Sequence, residues 1–562
     1  MAAMSYVTGA SAVPLLGETI GGQLDRTSAR FPDHIALVVR QQGVRLTWRE
    51  LAAEVDKLAA GLLSLGLEPG DRVGIWSPNN AEWVLTQLAT ARAGLVLVCI
   101  NPAYRRHELD YALNKAQCRA LVTATAFKSS DYAGMLMELL PELTHCAAGA
   151  LHAARVPALR SIVRIGAHSL PGSFAFDDLM ARGGAEERAR LTRLAGLLQF
   201  DDPVNIQFTS GTTGSPKGAT LTHHNLLNNG FFCGETMRYT EEDRLCIPVP
   251  LYHCFGNSIG VMACLTHGTA MVFPGEGFDP LAVLQTVQEE RCTSLYGVPT
   301  MFIAEMAHPE FDKYDLRSLR TGMMAGSPCP IEVMRRAIES MHLREITIGY
   351  GMTETSPVSF QTVIAAPVER RVSTVGTIHP LMEAKVIDAE GRIVPVGTPG
   401  ELCTRGYAVM LGYWDDAERT AQAIDQAGWM HTGDLATIDA EGYCAIVGRI
   451  KDMVIRGGEN VYPREVEEFL YKHPKIMDVQ VFGVPDAMYG EEVCAWIKLR
   501  DGATMTQEEL CAFCRDQIAH YKVPRHVRFV REFPMTVTGK MQKYLMREAM
   551  ARELAGEASA VE

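Results

Sequence analysis

Alternating strand-like and helix-like segments constrain the fold of this chain more than any other feature of its sequence. Short apolar runs of strand length are each followed by a segment whose apolar residues recur with helical spacing. Strands are predicted at residues 35–39, 71–76 and 95–100, and helices after a capping box at Thr47 and Glu50, at residues 81–91 and at residues 106–114. This alternation predicts a mostly parallel α/β sheet.

The length of the chain predicts more than one domain. A chain of 562 residues exceeds the roughly 250–300 residues at which a single hydrophobic core stops growing. Hydrophobic residues make up 47% and charged residues 21%, as in ordinary globular proteins. The net charge of −13 argues against nucleic acid as the main partner, so a small molecule is the expected partner.

The distribution of apolar and cysteine residues bears on location. No apolar run approaches the roughly 18 residues that span a bilayer. No basic residue precedes Arg26 and no apolar signal core is present, so neither a secretory signal nor an Arg-rich transit peptide is expected. The Cys-x-x-Cys of Cys511 and Cys514, on a helical stretch, lacks a second pair or a His cluster, and we interpret the cysteines as reduced core thiols. These features predict a cytoplasmic location.

A glycine- and hydroxyl-rich segment at residues 209–218 is typical of a loop that holds phosphates. It reads Thr-Ser-Gly-Thr-Thr-Gly-Ser-Pro-Lys-Gly, in which glycines permit close backbone approach and Lys217 supplies positive charge. Period-2 alternation over residues 204–208 predicts a preceding strand, and Thr222 is a candidate N-cap of a following helix. An ordinary P-loop NTPase needs Ser or Thr after its lysine, whereas Gly218 stands here, so that class is disfavoured.

Two carboxylates suit nucleotide chemistry. Glu354, in the Tyr-Gly-Met-Thr-Glu-Thr of residues 350–355, follows a strand-like run, and a carboxylate beside phosphates needs a cation between them, so it is the predicted Mg²⁺ ligand. Asp434 can accept hydrogen bonds from both hydroxyls of a ribose diol, one at each carboxylate oxygen. Lys540 follows Thr-x-x-Thr-Gly on a stem long enough to reach a carboxylate and an α-phosphate oxygen, although most lysines before a helix are only solvated. His253 has apolar neighbours, and its local sequence alone predicts a histidine buried in the core.

These motifs in this order resemble the adenylate-forming, or AMP-binding, superfamily. The superfamily contains acyl- and aryl-CoA synthetases, peptide-synthetase adenylation domains and beetle luciferases. The chain is most similar to the medium-chain fatty-acid–CoA ligases, through Ser5-Tyr-Val, residues 101–104 (Asn-Pro-Ala-Tyr) and residues 456–463 (Arg-Gly-Gly-Glu-Asn-Val-Tyr-Pro). The resemblance implies a large multi-subdomain N-terminal domain of mixed sheets and helices at 1–450, and a small mobile α+β C-terminal domain at 451–562.

The resemblance also implies roles for individual residues. It assigns catalysis to Lys540, Thr353, Glu354 and His253, and the interdomain hinge to Lys451, with Asp452 as the adjacent alternative. ATP or AMP binding is implied for Thr209, Ser210, Gly211, Thr212, Thr213, Gly214, Lys217, Gly326, Ser327, Pro328, Tyr350, Gly351, Asp434 and Arg449. Acyl binding is implied for Tyr252, His253, Val298, Gly326 and Gly351, and passage of the CoA thiol for Gly457 and Gly458.

The implied reaction has two half-reactions, both using one site. In the first, a fatty acid reacts with ATP in the presence of Mg²⁺ to give an acyl adenylate and pyrophosphate, and the resemblance implies a fatty acid of medium chain length. In the second, coenzyme A reacts with the acyl adenylate to give the thioester. A homodimer is compatible with the sequence. The alternatives are an acyl-AMP ligase that loads a carrier protein, a CoA ligase for a branched, aryl or short-chain acid, a luciferase-like oxygenase and a non-catalytic nucleotide or acyl-ligand sensor.

Overall fold

A computed structural model describes residues 3–168, 170–209, 216–327, 329–457, 459–486, 488–515, 517–536 and 541–554. Its strands, in chain order, are β1 Tyr6–Thr8, β2 Ile35–Val39, β3 Val44–Thr47, β4 Arg72–Trp76, β5 Val96–Cys99, β6 Ala120–Thr123, β7 Ala126–Phe127, β8 Ser130–Asp131, β9 Ser161–Arg164, β10 Phe174–Ala175, β11 Pro203–Thr209, β12 Lys217–Thr222, β13 Arg244–Cys246, β14 Ala270–Phe273, β15 Ser294–Gly297, β16 Thr321–Ala325, β17 Glu345–Gly351, β18 Val358–Gln361, β19 Thr377–Ile378, β20 Met382–Ile387, β21 Gly400–Gly406, β22 Gly412–Tyr413, β23 Met430–Ile438, β24 Cys444–Arg449, β25 Val454–Arg456, β26 Glu459–Val461, β27 Ile476–Asp486, β28 Gly490–Leu499 and β29 His526–Phe529.

The helices lie between these strands. They are α1 Ile20–Arg30, α2 Trp48–Leu63, α3 Ala81–Arg92, α4 Arg106–Lys115, α5 Tyr132–Leu139, α6 Phe176–Arg182, α7 Ala185–Ala195, α8 His223–Thr236, α9 Met262–His267, α10 Pro280–Glu290, α11 Pro299–Met306, α12 Ile331–Ser340, α13 Val368–Ser373, α14 Ala417–Ala423, α15 Pro463–Leu470, α16 Gln507–Cys514 and α17 Lys543–Leu554. Short 3₁₀ turns occupy Arg40–Gln42, Pro141–Thr144, Phe311–Lys313, Thr353–Thr355 and His520–Lys522, and a π-helical stretch covers Phe255–Val261.

Two large sheets carry the predicted α/β pattern. The eight-stranded sheet has the order β10-β9-β6-β4-β5-β11-β12-β22 and is parallel from β10 to β11. The nine-stranded sheet has the order β19-β18-β17-β16-β15-β13-β14-β2-β3 and is parallel from β17 to β2. The remaining strands of both sheets pair antiparallel at the edges. The prediction of mostly parallel sheets is therefore confirmed.

The N-terminal segments follow the sequence pattern closely. The Thr47 hydroxyl accepts from the Glu50 backbone N–H while the Glu50 carboxylate accepts from the Thr47 N–H, so the predicted capping box opens α2. Strand β2 has the predicted bounds, and β4, α3, β5 and α4 lie within one or two residues of theirs. Residues 147–159 form neither helix nor strand, yet Leu151, Val156 and Leu159 are fully buried and belong to a hydrophobic core.

One hydrophobic core joins the two large sheets. It combines side chains of β4 and β5 from one sheet, of β2 and β14 from the other, and of helices α1, α2, α3, α8 and α9. A third sheet, β1-β20-β21-β23-β24, is antiparallel throughout and packs on the nine-stranded sheet through a second core.

The C-terminal part has its own sheet and its own cores. The strands β26-β25-β28-β27 pair antiparallel, with β29 added parallel to β28, and α15, α16 and α17 pack beside them. Pro463 opens α15 as predicted, with Val466 and Leu470 buried on one face. All fourteen cysteines are free thiols, and twelve of them are buried. The mixed α/β fold with a small α+β C-terminal part is thereby confirmed, whereas the boundary at 450/451 stays a prediction.

Candidate active site

The glycine-rich segment connects two antiparallel strands. Strand β11 ends at Thr209 and β12 begins at Lys217, and these two residues face each other in the register of the pair. The predicted helix does start after Thr222, whose hydroxyl accepts from the Asn225 N–H, but strand β12 comes between loop and helix. A strand–loop–strand connection differs from the strand–loop–helix of a P-loop. Residues 210–215, with the predicted contacts Ser210, Gly211, Thr212, Thr213 and Gly214, lie outside the described residues.

A buried tyrosine links the loop lysine to the predicted magnesium ligand. Lys217 Nζ donates to the Tyr413 hydroxyl at 3.0 Å and lies 4.3 Å from the centre of its ring. That hydroxyl donates in turn to Glu354 Oε1 at 2.7 Å. Tyr413 and Glu354 are each 5% exposed, and burial, followed by the Glu354 charge, raises the pKa of Tyr413. The tyrosine therefore stays protonated and aligns the carboxylate and the ammonium.

Backbone pairing explains why Tyr413 reaches this position. Strand β22 pairs with β12 so that Tyr413 faces Ala219, and the Trp414 N–H donates to the Gly218 carbonyl at 2.7 Å. The Met410 N–H donates to the Glu354 carbonyl at 2.9 Å. The Met-Leu-Gly-Tyr-Trp segment thus closes over both the hairpin and the 3₁₀ turn that carries Glu354.

The predicted ribose ligand lies in a second polar cluster. Asp434 Oδ2 accepts from the Tyr350 hydroxyl at 2.7 Å, and Oδ1 lies 2.9 Å from Arg449 Nε. Asp434 and Arg449 are cross-strand partners on β23 and β24. The Asp434 charge raises the pKa of Arg449, and burial raises that of Tyr350. Three of the predicted nucleotide contacts are therefore in direct contact with one another.

The predicted acyl contacts lie next to the Glu354 turn. Cys254 Sγ is 3.7 Å from the Thr353 hydroxyl and 3.6 Å from His253 Nδ1, which also accepts from the Phe255 N–H at 3.2 Å. Tyr252 packs against the same large core that contains Val298, which is 4% exposed. Burial raises the pKa of Tyr252. Through Cys254, the segment that contains Tyr252 and His253 therefore lies beside the turn that carries Thr353 and Glu354.

Two glycine-containing segments complete the predicted site. Gly326 has φ +88°, a left-handed conformation that favours glycine, in the turn after β16, and Ser327 follows it. Pro328 lies outside the described residues. At Gly351 an added Cβ would lie 1.7 Å from the Pro357 carbonyl oxygen. That side of Gly351 therefore faces the backbone before β18 rather than open space, so steric room for an acyl chain does not explain this glycine; its placement at the site stays a prediction.

The C-terminal residues of the predicted site are described in part. Gly457 has φ +58°, and its N–H donates to the Tyr489 carbonyl at 2.9 Å. Arg456 holds the buried Glu492 with two hydrogen bonds of 2.7 and 2.8 Å and lies 4.3 Å from the Tyr489 ring centre. Lys451 follows β24 by two residues. Gly458 and Lys540 lie outside the described residues.

The comparisons with known proteins place the chain in a family. The profile of the AMP-binding enzyme family matches residues 24–414, and that of the AMP-binding enzyme C-terminal domain matches residues 465–540. The chain therefore belongs to the AMP-binding enzyme family.

Among its relatives are proteins with more particular names. It is 49% identical to the mitochondrial medium-chain acyl-CoA ligase ACSF2 of Danio rerio, over 98% of this chain and 91% of that protein. It is 48% identical to the putative acyl-CoA synthetase YngI of Bacillus subtilis (strain 168), over 95% and 97% of the two chains.

Solved structures share the whole architecture. The anthranilate CoA ligase AuaEII in complex with anthranoyl-AMP superposes with a TM-score of 0.86 at 27% identity, covering 97% of this chain and 99% of that one. ATP-bound MatB from Rhodopseudomonas palustris gives a TM-score of 0.80 at 29% identity, with 94% and 99% covered. Within the described residues, no helix is long and apolar enough to cross a membrane.

Tyr413 is the site residue to which sequence reasoning assigned no role. Its contacts with Lys217 and Glu354 depend on β22 pairing with β12, nearly two hundred residues earlier in the chain. A Gly-Tyr dipeptide carries no local sign of such pairing.

Proposed function

We propose that this member of the AMP-binding enzyme family is an AMP-forming fatty-acid–CoA ligase with medium-chain acids as its main substrates. The observation that carries the proposal is the Lys217–Tyr413–Glu354 chain, in which one tyrosine hydroxyl links a half-buried ammonium at the end of the glycine-rich segment to a buried carboxylate that could bind a metal ion. The names of the relatives above support the acyl-CoA ligase reaction and the chain length.

ATP binds with its phosphates at the hairpin and its nucleoside at the second cluster. Lys217 and the hydroxyls of residues 209–215 contact the phosphates, and Gly326, Ser327 and Pro328 border the adenine. Tyr350 stacks on the adenine. Asp434 accepts from the ribose hydroxyls, for which its two oxygens are already oriented by Tyr350 and Arg449.

Glu354 fits the role of a magnesium ligand. Mg²⁺ is held in proteins by one or two carboxylates together with phosphate oxygens and water. Glu354 is such a single carboxylate, buried and oriented through Oε1 by Tyr413. When bound, Mg²⁺ neutralises negative charge on the phosphates. The residues present therefore suit this ion.

Adenylation needs positioning more than covalent help from the protein. A carboxylate oxygen of the fatty acid attacks the α-phosphorus of ATP, the bond to the bridging oxygen breaks, and pyrophosphate leaves. His253, Tyr252 and Val298 position the acyl group, while Lys540 and Thr353 stabilise charge on the α-phosphate and the attacking oxygen. No covalent enzyme intermediate is required.

Thioester formation uses the same site after a domain movement. Rotation about Lys451 withdraws Lys540 and brings Gly457 and Gly458 forward, where the lack of side chains leaves a passage for the CoA thiol. The sulfur attacks the acyl carbonyl carbon, the thiol proton passes to solvent, and AMP leaves. A cytoplasmic location and a homodimeric assembly complete the proposal.

The decisive experiment is product analysis by mass spectrometry. The full-length protein is incubated with ATP, Mg²⁺, CoA and equimolar straight-chain acids from acetate to stearate, together with aryl and branched acids. We expect AMP and thioesters that peak at medium chain length. Accumulation of acyl-AMP without thioester would reject CoA as acceptor and favour the carrier-protein alternative, and a peak at aryl or branched acids would reject the substrate class.

A further inference from the structure

Three side chains with metal-ligating atoms meet on the antiparallel sheet that contains β21 and β23. They are Glu401, Cys403 and His431, whose ligand atoms all lie within 4.8 Å of one another. The sheet explains the meeting. Cys403 is the cross-strand partner of His431 on β23, and the strand register shifts between Glu401 and Cys403, where Glu401 Oε2 comes to lie 3.1 Å from His431 Nδ1.

The distances match those of a tetrahedral site. Zinc binds sulfur at about 2.3 Å and nitrogen or oxygen at about 2.0–2.2 Å, so tetrahedral angles separate N and O ligands by about 3.4 Å and S and N ligands by about 3.6 Å. Glu401 Oε2 lies 3.1 Å from His431 Nδ1, and Cys403 Sγ lies 3.7 Å from the same nitrogen. These two pairs therefore need displacements of only a few tenths of an ångström to hold an ion, and the third pair, Cys403 Sγ and the Glu401 oxygen, lies within 4.8 Å.

Backbone hydrogen bonds hold the carboxylates in the required orientation. Glu401 Oε1 accepts from the Gly433 N–H at 3.2 Å, which leaves Oε2 directed at His431. Asp425 Oδ1 accepts from the Ala427 and Trp429 N–H groups, both at 2.9 Å, while Oδ2 lies 3.9 Å from His431 Nε2. This separation is longer than a hydrogen bond, so Asp425 has to approach His431 by somewhat less than about 1 Å to give the carboxylate support that is usual for a metal-bound histidine.

The site is reachable from solvent on one side and closed on the other. The His431 and Glu401 side chains are 32% and 22% exposed, whereas Cys403 is fully buried in a small cluster with Trp429 and Ile387. Such a combination of thiol, imidazole and carboxylate suits Zn²⁺ and related ions far better than Mg²⁺, which prefers oxygen alone.

From this geometry we infer that Glu401, Cys403 and His431 form a binding site for a thiophilic divalent cation of the Zn²⁺ class. Cys403 Sγ, His431 Nδ1 and Glu401 Oε2 are the ligands, and water takes the fourth position. Binding releases the Cys403 thiol proton to solvent and places the imidazole proton on Nε2, facing Asp425. The ion joins β21 to β23, the strand that carries Asp434 three residues after His431.

Cobalt absorption tests the site on the metal-free, reduced, full-length protein. We expect Co²⁺ to produce a sulfur-to-cobalt charge-transfer band that saturates at one equivalent, that Zn²⁺ abolishes and that excess Mg²⁺ leaves unchanged. Cys403→Ser should lose the band. Asp425→Asn should retain it with a cobalt affinity about 10- to 100-fold weaker, because only the support of His431 is lost.

Cys511→Ser is the matched control, since Cys511 is partly exposed and belongs to the Cys-x-x-Cys on α16. Its band should equal that of the wild type. The inference is overturned if the wild type gives no band, if the band survives in Cys403→Ser, or if it disappears in Cys511→Ser. If Cys403→Ser fails to fold, His431→Gln is the second variant, and undiminished cobalt affinity there would equally overturn the site.

Discussion

Replacing Tyr413 with phenylalanine should weaken adenylation and raise the magnesium requirement. The change removes only the hydroxyl that accepts from Lys217 at 3.0 Å and donates to Glu354 at 2.7 Å, and it keeps the ring over which Lys217 lies. A hydrogen bond to a charged group contributes about 1.5–3 kcal/mol, which corresponds to about 10- to 150-fold in rate. We expect a loss of that size in pyrophosphate release.

The assay is pyrophosphate release over a range of Mg²⁺ concentrations, with thioester formation from supplied acyl-AMP measured alongside. The second half-reaction should change far less, because it no longer involves the triphosphate. Tyr132→Phe is the control, since it removes a buried hydroxyl bonded to the Pro102 carbonyl and should lower stability without changing the magnesium dependence. Wild-type rates and magnesium dependence in Tyr413→Phe would refute the alignment role of the hydroxyl.

Four further changes test other parts of the structure. Lys540→Ala should abolish adenylation yet spare thioester formation from supplied acyl-AMP, and equal loss of both would reject its role. Lys451→Pro should spare adenylation and abolish thioester formation in the same two assays, because proline fixes φ and so resists rotation at the proposed hinge. Loss of adenylation alone would place the hinge elsewhere. Glu305 is fully buried, neither oxygen has a hydrogen bond among the described residues, and burial raises its pKa well above the ordinary 4.5. As pH rises, the unfolded chain loses the Glu305 carboxyl proton before the folded protein does, so the free energy of unfolding should fall above the ordinary pKa of 4.5. Urea denaturation at about pH 4 and about pH 8 measures this fall, and Glu305→Gln should remove it. An unchanged dependence of the free energy of unfolding on pH in Glu305→Gln would contradict the prediction. Gly351→Ala should lower the melting temperature, since its Cβ would meet the Pro357 carbonyl at 1.7 Å, and an unchanged melting temperature would show that the backbone yields.

Local sequence signals predicted much of this fold. The capping box of Thr47 and Glu50, the apolar run of β2 and the Pro463 start of α15 all act within a few residues, so their physical cause is visible in the sequence itself. Strand β12 was not predicted. Its residues, Lys-Gly-Ala-Thr-Leu-Thr, carry weak strand preference, and their conformation depends on pairing with β11 and β22.

The site shows the same division. Glu354 and Asp434 could be assigned a chemistry because a carboxylate beside a nucleotide has few uses. The contact of Asp434 with Tyr350 spans 84 positions, and the meeting of Cys403 with His431 spans 28, so only strand register brings them together. The role of Gly351 stays a prediction, because a sequence does not reveal in which direction a missing Cβ would point.

The separation of the hydrophobic cores has an energetic consequence. Within the described residues, the clusters of the C-terminal part begin at Val454, and those of the N-terminal part extend no further than Ile446. A swing about the proposed pivot at Lys451 therefore leaves every core intact. The two parts meet through polar contacts such as Arg464 to the Ile446 carbonyl at 3.2 Å. Because contacts of this kind contribute little net free energy, a modest difference in affinity for ATP and acyl-AMP is expected to be enough to reverse the populations of the two proposed poses.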